Sequence, residues 1–306
     1  MKDVTPIEPV RAGTKELQLS GLLATPTGSL VNGRSRGVIL ALHGGGYSAG
    51  YWNCPADGAS LLDLGARLGF HVLALDRPGY GISRDFAPAR LGLSAQVDLL
   101  FDALEDWCGR HACGDSRFVI GHSIGGILAL LMAADPRAKG LSGIDVLGVP
   151  IRFPESAGGS EVTSWATNQS HLPVLPEDLR KALCFGPPGT YSAEADEYDR
   201  SLLRPMPAAE HVDALGMPDA WETVMSRIDL PVQFTLAEFE VMQVTGEAVL
   251  ETVRARLRNS RLCSTRLQLA SGHNASVHRI ARAYHLRAIA FFEECMALQK
   301  AAAPTL

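Results

Sequence analysis

The chain lacks the features that mark membrane-spanning, secreted and nucleic-acid-binding proteins. No apolar run reaches the roughly 18 residues that a membrane-spanning helix needs, and residues 1–16 contain no apolar signal core. Positive charge is not in excess, since 28 Lys and Arg residues stand against 33 Asp and Glu residues, a net charge of −5. We therefore expect a cytoplasmic protein that binds neither membranes nor nucleic acid.

Cysteine pairs with the spacing of metal or redox sites are also missing. The six cysteines are scattered, and no two of them form a C-x-x-C motif. We interpret them as free thiols in a reducing compartment, and we expect neither a metal nor an organic cofactor. They are Cys54, Cys108, Cys113, Cys184, Cys263 and Cys295.

Short apolar strand patterns alternate with helical patterns over most of the 306 residues. This alternation predicts a parallel sheet that is covered by helices on both faces. The predicted strands are residues 17–24, 36–42, 70–75, 117–120, 144–149, 230–236 and 265–270, and the predicted helices are residues 56–68, 95–107, 124–134, 246–257 and 278–298.

The alternation stops between residues 151 and 229. This stretch is rich in Pro, Gly and Ser, and we predict helices within it at residues 176–183 and 219–228. We interpret it as an insertion between two strands of one sheet, forming a cap over the carboxyl ends of the strands. Residues 1–150 and 230–306 would then be the two parts of one core domain.

The pattern G-x-S-x-G is typical of a serine nucleophile on a sharp strand-to-helix turn, and it occurs twice. Ser123 is preceded by a strand pattern and followed by an unbroken helix pattern. Ser48 also follows a strand, but Pro55 opposes a helix after it. Because a helix N-terminus directs free N–H groups at developing negative charge, we favour Ser123 as the nucleophile.

A second motif, HGGG at residues 43–46, directly follows a buried strand pattern. Glycines in such a turn leave backbone N–H groups free to approach a ligand closely. We assign the oxyanion hole to the N–H groups of Gly45 and Ile124. The predicted substrate-binding residues beside this hole are Gly44, Gly46, Tyr47 and His122.

These motifs together resemble the α/β-hydrolase superfamily. The resemblance covers most of the chain: HGGGY after one strand, LDRPGYG after the next, GHSIGG after the third, and a late Gly272-His273. It implies the α/β-hydrolase fold, with a mostly parallel eight-stranded sheet, helices on both faces and an inserted cap. It also implies a catalytic triad in the chain order serine, acid, histidine.

The resemblance indicates where the histidine and the acid of the triad should lie. His273 occupies the loop before the last predicted helix, where the family places its histidine, and His278 is the alternative. The acid is expected a few residues after the strand at residues 230–236. We favour Glu240 there and keep Glu238 as the fallback, although relatives typically carry an aspartate.

We expect a serine hydrolase that cleaves an ester or thioester of a small acyl substrate through an acyl-enzyme intermediate. Three alternatives stay open: acyl transfer or cyclisation on the same triad, lyase or C–C bond hydrolase chemistry, and a non-catalytic ligand-binding protein of the same fold. A homodimer is compatible with this interpretation.

Overall fold

The computed structural model describes residues 5–27, 34–155 and 169–302. The strands in these ranges are β1 (Ile7–Gly13), β2 (Gln18–Ala24), β3 (Gly37–Leu42), β4 (Phe70–Leu75), β5 (Arg117–His122), β6 (Gly143–Leu147), β7 (His171–Leu172), β8 (Met206–Pro207), β9 (Val232–Ala237) and β10 (Cys263–Gln268). The α-helices are α1 (Leu61–Arg67), α2 (Leu93–Arg110), α3 (Ile124–Ala133), α4 (Glu177–Cys184), α5 (Ala193–Ser201), α6 (Ala208–Met225), α7 (Glu247–Arg256) and α8 (Ala281–Ala302).

Eight strands form one sheet in the order β1-β2-β4-β3-β5-β6-β9-β10. Strand β2 pairs antiparallel with β1 and β4, and the other neighbours pair in parallel. The predicted fold, a mostly parallel eight-stranded α/β sheet, is therefore confirmed. The strand order reverses between β3 and β5, and sheets of this kind bind ligands beyond the carboxyl ends of the strands at such a switch point.

Helices cover both faces of the sheet because successive side chains of a strand point in opposite directions. Along β3, Val38 and Leu40 pack in one apolar cluster with α2, α3, α6 and α7. Ile39 and Ala41 pack in a second cluster with α1 and α8. All six residues of β3 are buried. The central strands are thus buried between helices on both faces of the sheet.

Strand β1 and helix α5 were not predicted, for different reasons. Strand β1 is an edge strand in which Pro9 and Arg11 break the apolar alternation, as edge strands commonly do. Helix α5 has no apolar stripe, because one of its two buried residues is Asp199 and the other is Ala195. A buried carboxylate on a helix is invisible to a search for hydrophobic periodicity.

Helix α6 is longer than predicted. The sequence predicts a helix only from residue 219, whereas α6 begins at Ala208 and continues through Pro218. A proline inside a helix removes one backbone hydrogen bond. Trp221 anchors the helix on the far side of Pro218, since it is fully buried and its indole Nε1–H donates to Pro150 O at 2.7 Å.

Between β6 and β9, residues 169–229 contain β7, β8 and α4 to α6, and we call them the inserted segment. Residues 156–168 of the predicted cap lie outside the described residues. Strands β7 and β8 form a short antiparallel pair. None of the helices in the described ranges combines the length and apolar character that crossing a membrane requires.

We predict that the buried His285 makes stability dependent on pH. Burial lowers the pKa of this imidazole to about 3, whereas an unfolded chain protonates it near its ordinary value of about 6.5. Between these values the unfolded state binds one proton more, so His285 lowers the free energy of unfolding by about 1.4 kcal/mol for each pH unit of acidification.

Urea unfolding of the wild type and His285→Gln at several pH values between 7.5 and 5 measures this contribution. The substitution should reduce the slope of unfolding free energy against pH by about one proton below pH 6.5. An unchanged slope would contradict the assignment of His285 as a buried neutral group.

Candidate active site

Ser123 lies on a sharp turn between β5 and α3. Its backbone dihedral angles are φ 53° and ψ −118°, a region that residues with a side chain rarely adopt. The amide of Ser123 donates to Leu147 O at 2.8 Å, and its carbonyl accepts from Ile127 N at 2.9 Å. Strand β6 and the first turn of α3 therefore hold the serine in this strained conformation.

The two glycines of GHSIG let the strand and the helix approach closely. A Cβ atom on Gly121 would collide with Gly125 O, and a Cβ atom on Gly125 would collide with Leu42 O. Both contacts are with backbone atoms, which cannot move aside as a flexible side chain could. The glycines are thus required by the packing of α3 against β3 and β5.

The second G-x-S-x-G match has a different structure. Ser48 precedes a short 3₁₀ helix, Ala49–Asn53, so the prediction that Pro55 prevents an α-helix there agrees with the structure. Asp76 of the LDRPGYG motif fixes this turn, since its Oδ1 accepts from Ala49 N at 2.8 Å. Its Oδ2 accepts from Ser20 Oγ at 2.7 Å.

The HGGG residues lie between the end of β3 and the first turn of α3. The backbone N–H groups of Gly45 and Ile124 have no hydrogen-bond acceptor among the described residues, whereas Gly46 N donates to Tyr80 Oη at 2.9 Å. A Cβ atom on Gly45 would lie 3.2 Å from Ile124 Cγ1. The two predicted oxyanion donors are therefore neighbours in space.

Hydrogen bonds of His43 and Arg77 hold this loop in place. His43 Nδ1–H donates to Gly44 O at 2.8 Å, and its Nε2 accepts from Arg77 N at 3.1 Å. Burial and the charge of Arg77 lower the pKa of His43 well below its ordinary value. His43 is thus a neutral imidazole that is used entirely for backbone hydrogen bonds.

His273 and Glu240 form a buried pair at the carboxyl ends of β10 and β9. The Nδ1 atom of His273 lies 2.7 Å from Glu240 Oε2, and the two residues are 4% and 8% exposed. Because Nδ1–H donates to the carboxylate, Nε2 is the ring nitrogen that is left to exchange a proton. The ring is therefore oriented to accept a proton at Nε2.

Glu240 is held as a carboxylate by several donors. Its Oε1 accepts from Val241 N and Met242 N, both at 3.1 Å, and its Oε2 also accepts from Gln243 Nε2 at 3.2 Å. Burial alone would raise the pKa of Glu240, but His273 and the hydrogen bonds from Gln243 and Met242 lower it below its ordinary value. The carboxylate thus stays ionised beside the histidine.

Glu238, the fallback acid, lies elsewhere on the same loop. Its Oε2 accepts from Ala270 N at 2.7 Å in an exposed position. The structure therefore pairs Glu240, and not Glu238, with His273.

His278, the alternative base, supports the backbone around His273. Its Nε2 accepts from Gly186 N and Gly272 N, both at 3.1 Å, and its Nδ1–H donates to Asn274 O at 2.9 Å. Burial lowers the pKa of His278 to about 4. Both ring nitrogens are engaged with backbone atoms, so His278 has no nitrogen left for a substrate.

His122 packs against His273. The two ring centroids are 4.6 Å apart, and His122 Nε2–H donates to His273 O at 3.0 Å. Gly148, directly after β6, leaves room for the ring of His273, because a Cβ atom on Gly148 would lie 3.0 Å from His273 Cε1. Burial and His273 lower the pKa of His122 well below its ordinary value. His122 is therefore an uncharged ring that packs beside His273.

A cavity of about 480 Å³ lies beside these groups. Ser123 and His273 line it, as do the four predicted substrate-binding residues, Gly44, Gly46, Tyr47 and His122. Most of the remaining wall is apolar and comes from the inserted segment, helix α3 and the loop after β6, including Ile127, Phe153, Leu172, Leu179, Leu183 and Leu215.

A polar network behind Tyr47 was missed by the sequence analysis. Asn274 Nδ2 donates to Tyr47 Oη at 2.8 Å and to Asp199 Oδ1 at 2.9 Å. Arg180 Nη1 donates to Asp199 Oδ2 at 2.5 Å. Burial raises the pKa of Asp199 to about 6 despite the lowering effects of Arg180, Asn274 and Tyr47. The only available sequence signal was the Asn that follows His273.

The arrangement has the parts needed for nucleophilic acyl chemistry. A strained serine, a histidine oriented by a carboxylate, and two free N–H groups lie beyond the carboxyl ends of the parallel strands β3, β5, β9 and β10. Among the described residues, Ser123 Oγ has no hydrogen-bond partner, and such contacts commonly tighten only when substrate binds. The described residues contain no cluster of three or more His, Cys, Asp or Glu side chains that could hold a metal.

Comparisons with known proteins agree with this fold. The model of the alpha/beta hydrolase family matches residues 39–292 of the chain. A solved soluble variant of monoglyceride lipase from Saccharomyces cerevisiae, in complex with a substrate analogue, superimposes with a TM-score of 0.67 and 13% sequence identity. The match covers 96% of this chain and 97% of that one.

Two curated relatives match shorter stretches. The alpha/beta hydrolase ucsC of Acremonium sp. is 26% identical over 149 residues, which is 46% of this chain and 29% of that protein. The magnesium-chelatase 30 kDa subunit of Rhodobacter capsulatus is 35% identical over 108 residues, which is 34% of this chain and 34% of that protein. The chain thus matches only about a third of the length of either relative.

We predict that Gly125→Ala destabilises the protein by about 1–3 kcal/mol, because the added methyl group would overlap the backbone of β3. Gly109→Ala is the matched control, since Gly109 is an exposed residue of α2 with nothing within 4 Å of an added Cβ atom. It should stabilise the helix by about 0.5–1 kcal/mol. Urea unfolding measures both, and equal effects would contradict the packing argument.

We predict that Glu240→Gln lowers kcat at least about 100-fold with little change in KM, because a neutral amide can no longer stabilise an imidazolium at His273. The control is Glu238→Gln, which changes a carboxylate on the same loop that contacts only backbone at Ala270. Steady-state kinetics compare the two variants. A larger loss at Glu238 would exclude Glu240 as the acid.

Proposed function

Because the chain belongs to the alpha/beta hydrolase family, we propose that it is a serine hydrolase that cleaves a carboxylic ester or thioester. The observation that carries this proposal is the buried His273–Glu240 pair, with Nδ1 and Oε2 at 2.7 Å, whose histidine lines the same cavity as Ser123. Ester hydrolysis needs a nucleophile, a base and an oxyanion site, and each has a candidate here.

In the first half-reaction, Ser123 Oγ attacks the carbonyl carbon of the substrate and His273 Nε2 accepts the hydroxyl proton. Glu240 stabilises the resulting imidazolium through its hydrogen bond to Nδ1. The negative oxygen of the tetrahedral intermediate lies between the N–H groups of Gly45 and Ile124. The bond to the alcohol or thiol then breaks, and His273 returns its proton to the leaving group.

In the second half-reaction, water replaces the leaving group and His273 removes one of its protons. The hydroxide equivalent attacks the acyl carbon, and the same oxyanion donors stabilise the second tetrahedral intermediate. The bond to Ser123 Oγ breaks, and the protonated histidine restores the serine hydroxyl. The chain's own residues supply every proton transfer in this cycle.

The apolar lining of the cavity favours an apolar acyl group. Val174, Leu175 and Leu179 line the cavity, yet each is at least 36% exposed. Because they line the cavity and are also exposed to solvent, we interpret them as an apolar rim at its opening. A hydrocarbon chain that passes this rim would be removed from water along most of its length.

Kinetics with p-nitrophenyl esters of increasing acyl length, and with acyl thioesters of the same chains, test this function. Ser123→Ala should lose at least about 1,000-fold in kcat on every substrate that the wild type cleaves. The control is Ser48→Ala, which changes the serine of the second G-x-S-x-G match and should retain wild-type turnover.

Hydrolysis that survives in Ser123→Ala would contradict the proposed nucleophile. Comparison of esters with thioesters of equal acyl length identifies the preferred leaving group. A rate that rises with acyl length supports the apolar cavity as the acyl site, whereas a preference for acetyl groups would contradict that part of the proposal.

A further inference from the structure

We propose that Glu210, which lies on α6 in the inserted segment, is a positioning residue for the oxyanion loop (residues 43–46). This inference rests on the proposed function, because it gives the inserted segment a part in stabilising the oxyanion. Glu210 itself does not line the cavity. It acts through Arg77 and Tyr80, two residues of the LDRPGYG motif that also contact the loop.

The carboxylate of Glu210 is buried and accepts four hydrogen bonds. Arg77 donates to both of its oxygens, from Nη1 at 2.6 Å and from Nη2 at 3.0 Å. Tyr80 Oη donates to Oε1 at 2.6 Å, and Gln96 Nε2 donates to Oε2 at 2.7 Å. Glu210, Arg77 and Gln96 are each 0% exposed. Because Glu210 lies on α6, the position of this helix determines where the side chains of Arg77, Tyr80 and Gln96 find their acceptor.

Tyr80 connects Glu210 to Gly46. A phenol has one hydrogen, and here it is donated to Glu210, so the same oxygen accepts from Gly46 N at 2.9 Å. Because of this bond, the Gly46 N–H group is not available to a ligand in the cavity. The ring of Tyr80 also packs edge-on against His43, with centroids 4.8 Å apart.

Arg77 connects Glu210 to the peptide group that carries the Gly45 N–H. Its Nε–H donates to His43 O at 2.8 Å, and its Nη2–H donates to Gly44 O at 3.2 Å. The carbonyl of Gly44 and the amide of Gly45 belong to one planar trans peptide unit, in which C=O and N–H point in opposite directions. Holding Gly44 O toward Arg77 therefore holds the Gly45 N–H on the opposite side.

The inserted segment contacts the same loop at two further points. Arg204 N donates to Gly46 O at 2.8 Å. Met206 packs directly on Gly45, since a Cβ atom there would collide with Met206 Sδ. The oxyanion loop therefore lies between β3 and the inserted segment. The carboxylate of Glu210 links the inserted segment to this loop through Arg77 and Tyr80.

The experiment compares Tyr80→Phe with Tyr284→Phe. Tyr80→Phe removes only the hydroxyl that links Glu210 to Gly46 N and keeps the aromatic ring. Tyr284 provides a matched control, because it is also buried and donates to a carboxylate, Asp145 Oδ1, at 2.6 Å away from the loop. Ester kinetics and the affinity for a trifluoromethyl ketone, which forms a tetrahedral oxyanion on the serine, are measured for both variants.

We expect Tyr80→Phe to lower kcat about 10-fold with KM nearly unchanged, and to weaken the trifluoromethyl ketone by a similar factor, since loss of one oxyanion donor costs about 100-fold or more. Tyr284→Phe should change neither quantity. Equal effects of the two variants, or an effect of Tyr80→Phe on KM alone, would overturn the inference. Absence of Ser123-dependent turnover in the wild type would instead overturn the proposed function.

Glu210→Gln provides a second test. Loss of the negative charge leaves Arg77 buried without its counter-ion, so thermal unfolding first establishes that the variant is folded at the assay temperature. In the folded variant, the kcat loss should be at least that of Tyr80→Phe, and adding Tyr80→Phe should cause little further loss. If the kcat loss of the double variant equals the product of the two single losses, Glu210 and Tyr80 act separately, and this would contradict the inference.

Discussion

The ion pair between Arg77 and Glu210 is the interaction on which the rest of the site depends. Arg77 follows β4 in the core and Glu210 lies on α6, and the two are 133 residues apart in the sequence and fully buried. Removing one partner of a buried pair leaves an uncompensated charge, which typically costs about 3–5 kcal/mol. The inserted segment cannot move away from the core without breaking this pair. The loop at residues 43–46 is held in the same hydrogen-bonded network, so the position of α6 and the conformation of this loop are coupled.

The two structural parts of the protein contribute different things to the site. The sheet brings Ser123, Gly45 and Glu240 to the carboxyl ends of its strands, where parallel strands place such groups side by side. The inserted segment supplies most of the apolar wall together with two buried carboxylates. One of these, Glu210, binds Arg77 and Tyr80, which contact the loop at residues 43–46. The other, Asp199, binds Asn274 beside His273. Both carboxylates are fully buried, so solvent screens their interactions little.

Local patterns predicted most of the core and the groups that lie directly after its strands. Strand β4 has the bounds that its apolar run indicates. The positions of His273 and Glu240 after two strands were indicated by the resemblance to a known family, and the structure brings the two side chains together. Strand β1 and helix α5 were missed because a proline in an edge strand and a polar buried face hide the usual periodicities. The contacts of Arg77 with Glu210 could not be predicted, because nothing in either local sequence specifies a partner so far along the chain.

Covalent trapping tests most directly whether Ser123 is the nucleophile of an acyl-transferring site. The wild-type protein is treated with a fluorophosphonate, and the modified residue is located by peptide mass spectrometry. We expect one phosphonyl group per chain, on Ser123, and no labelling after heat unfolding. A label on Ser48 or on another residue, or a folded protein that hydrolyses esters without being labelled, would contradict it.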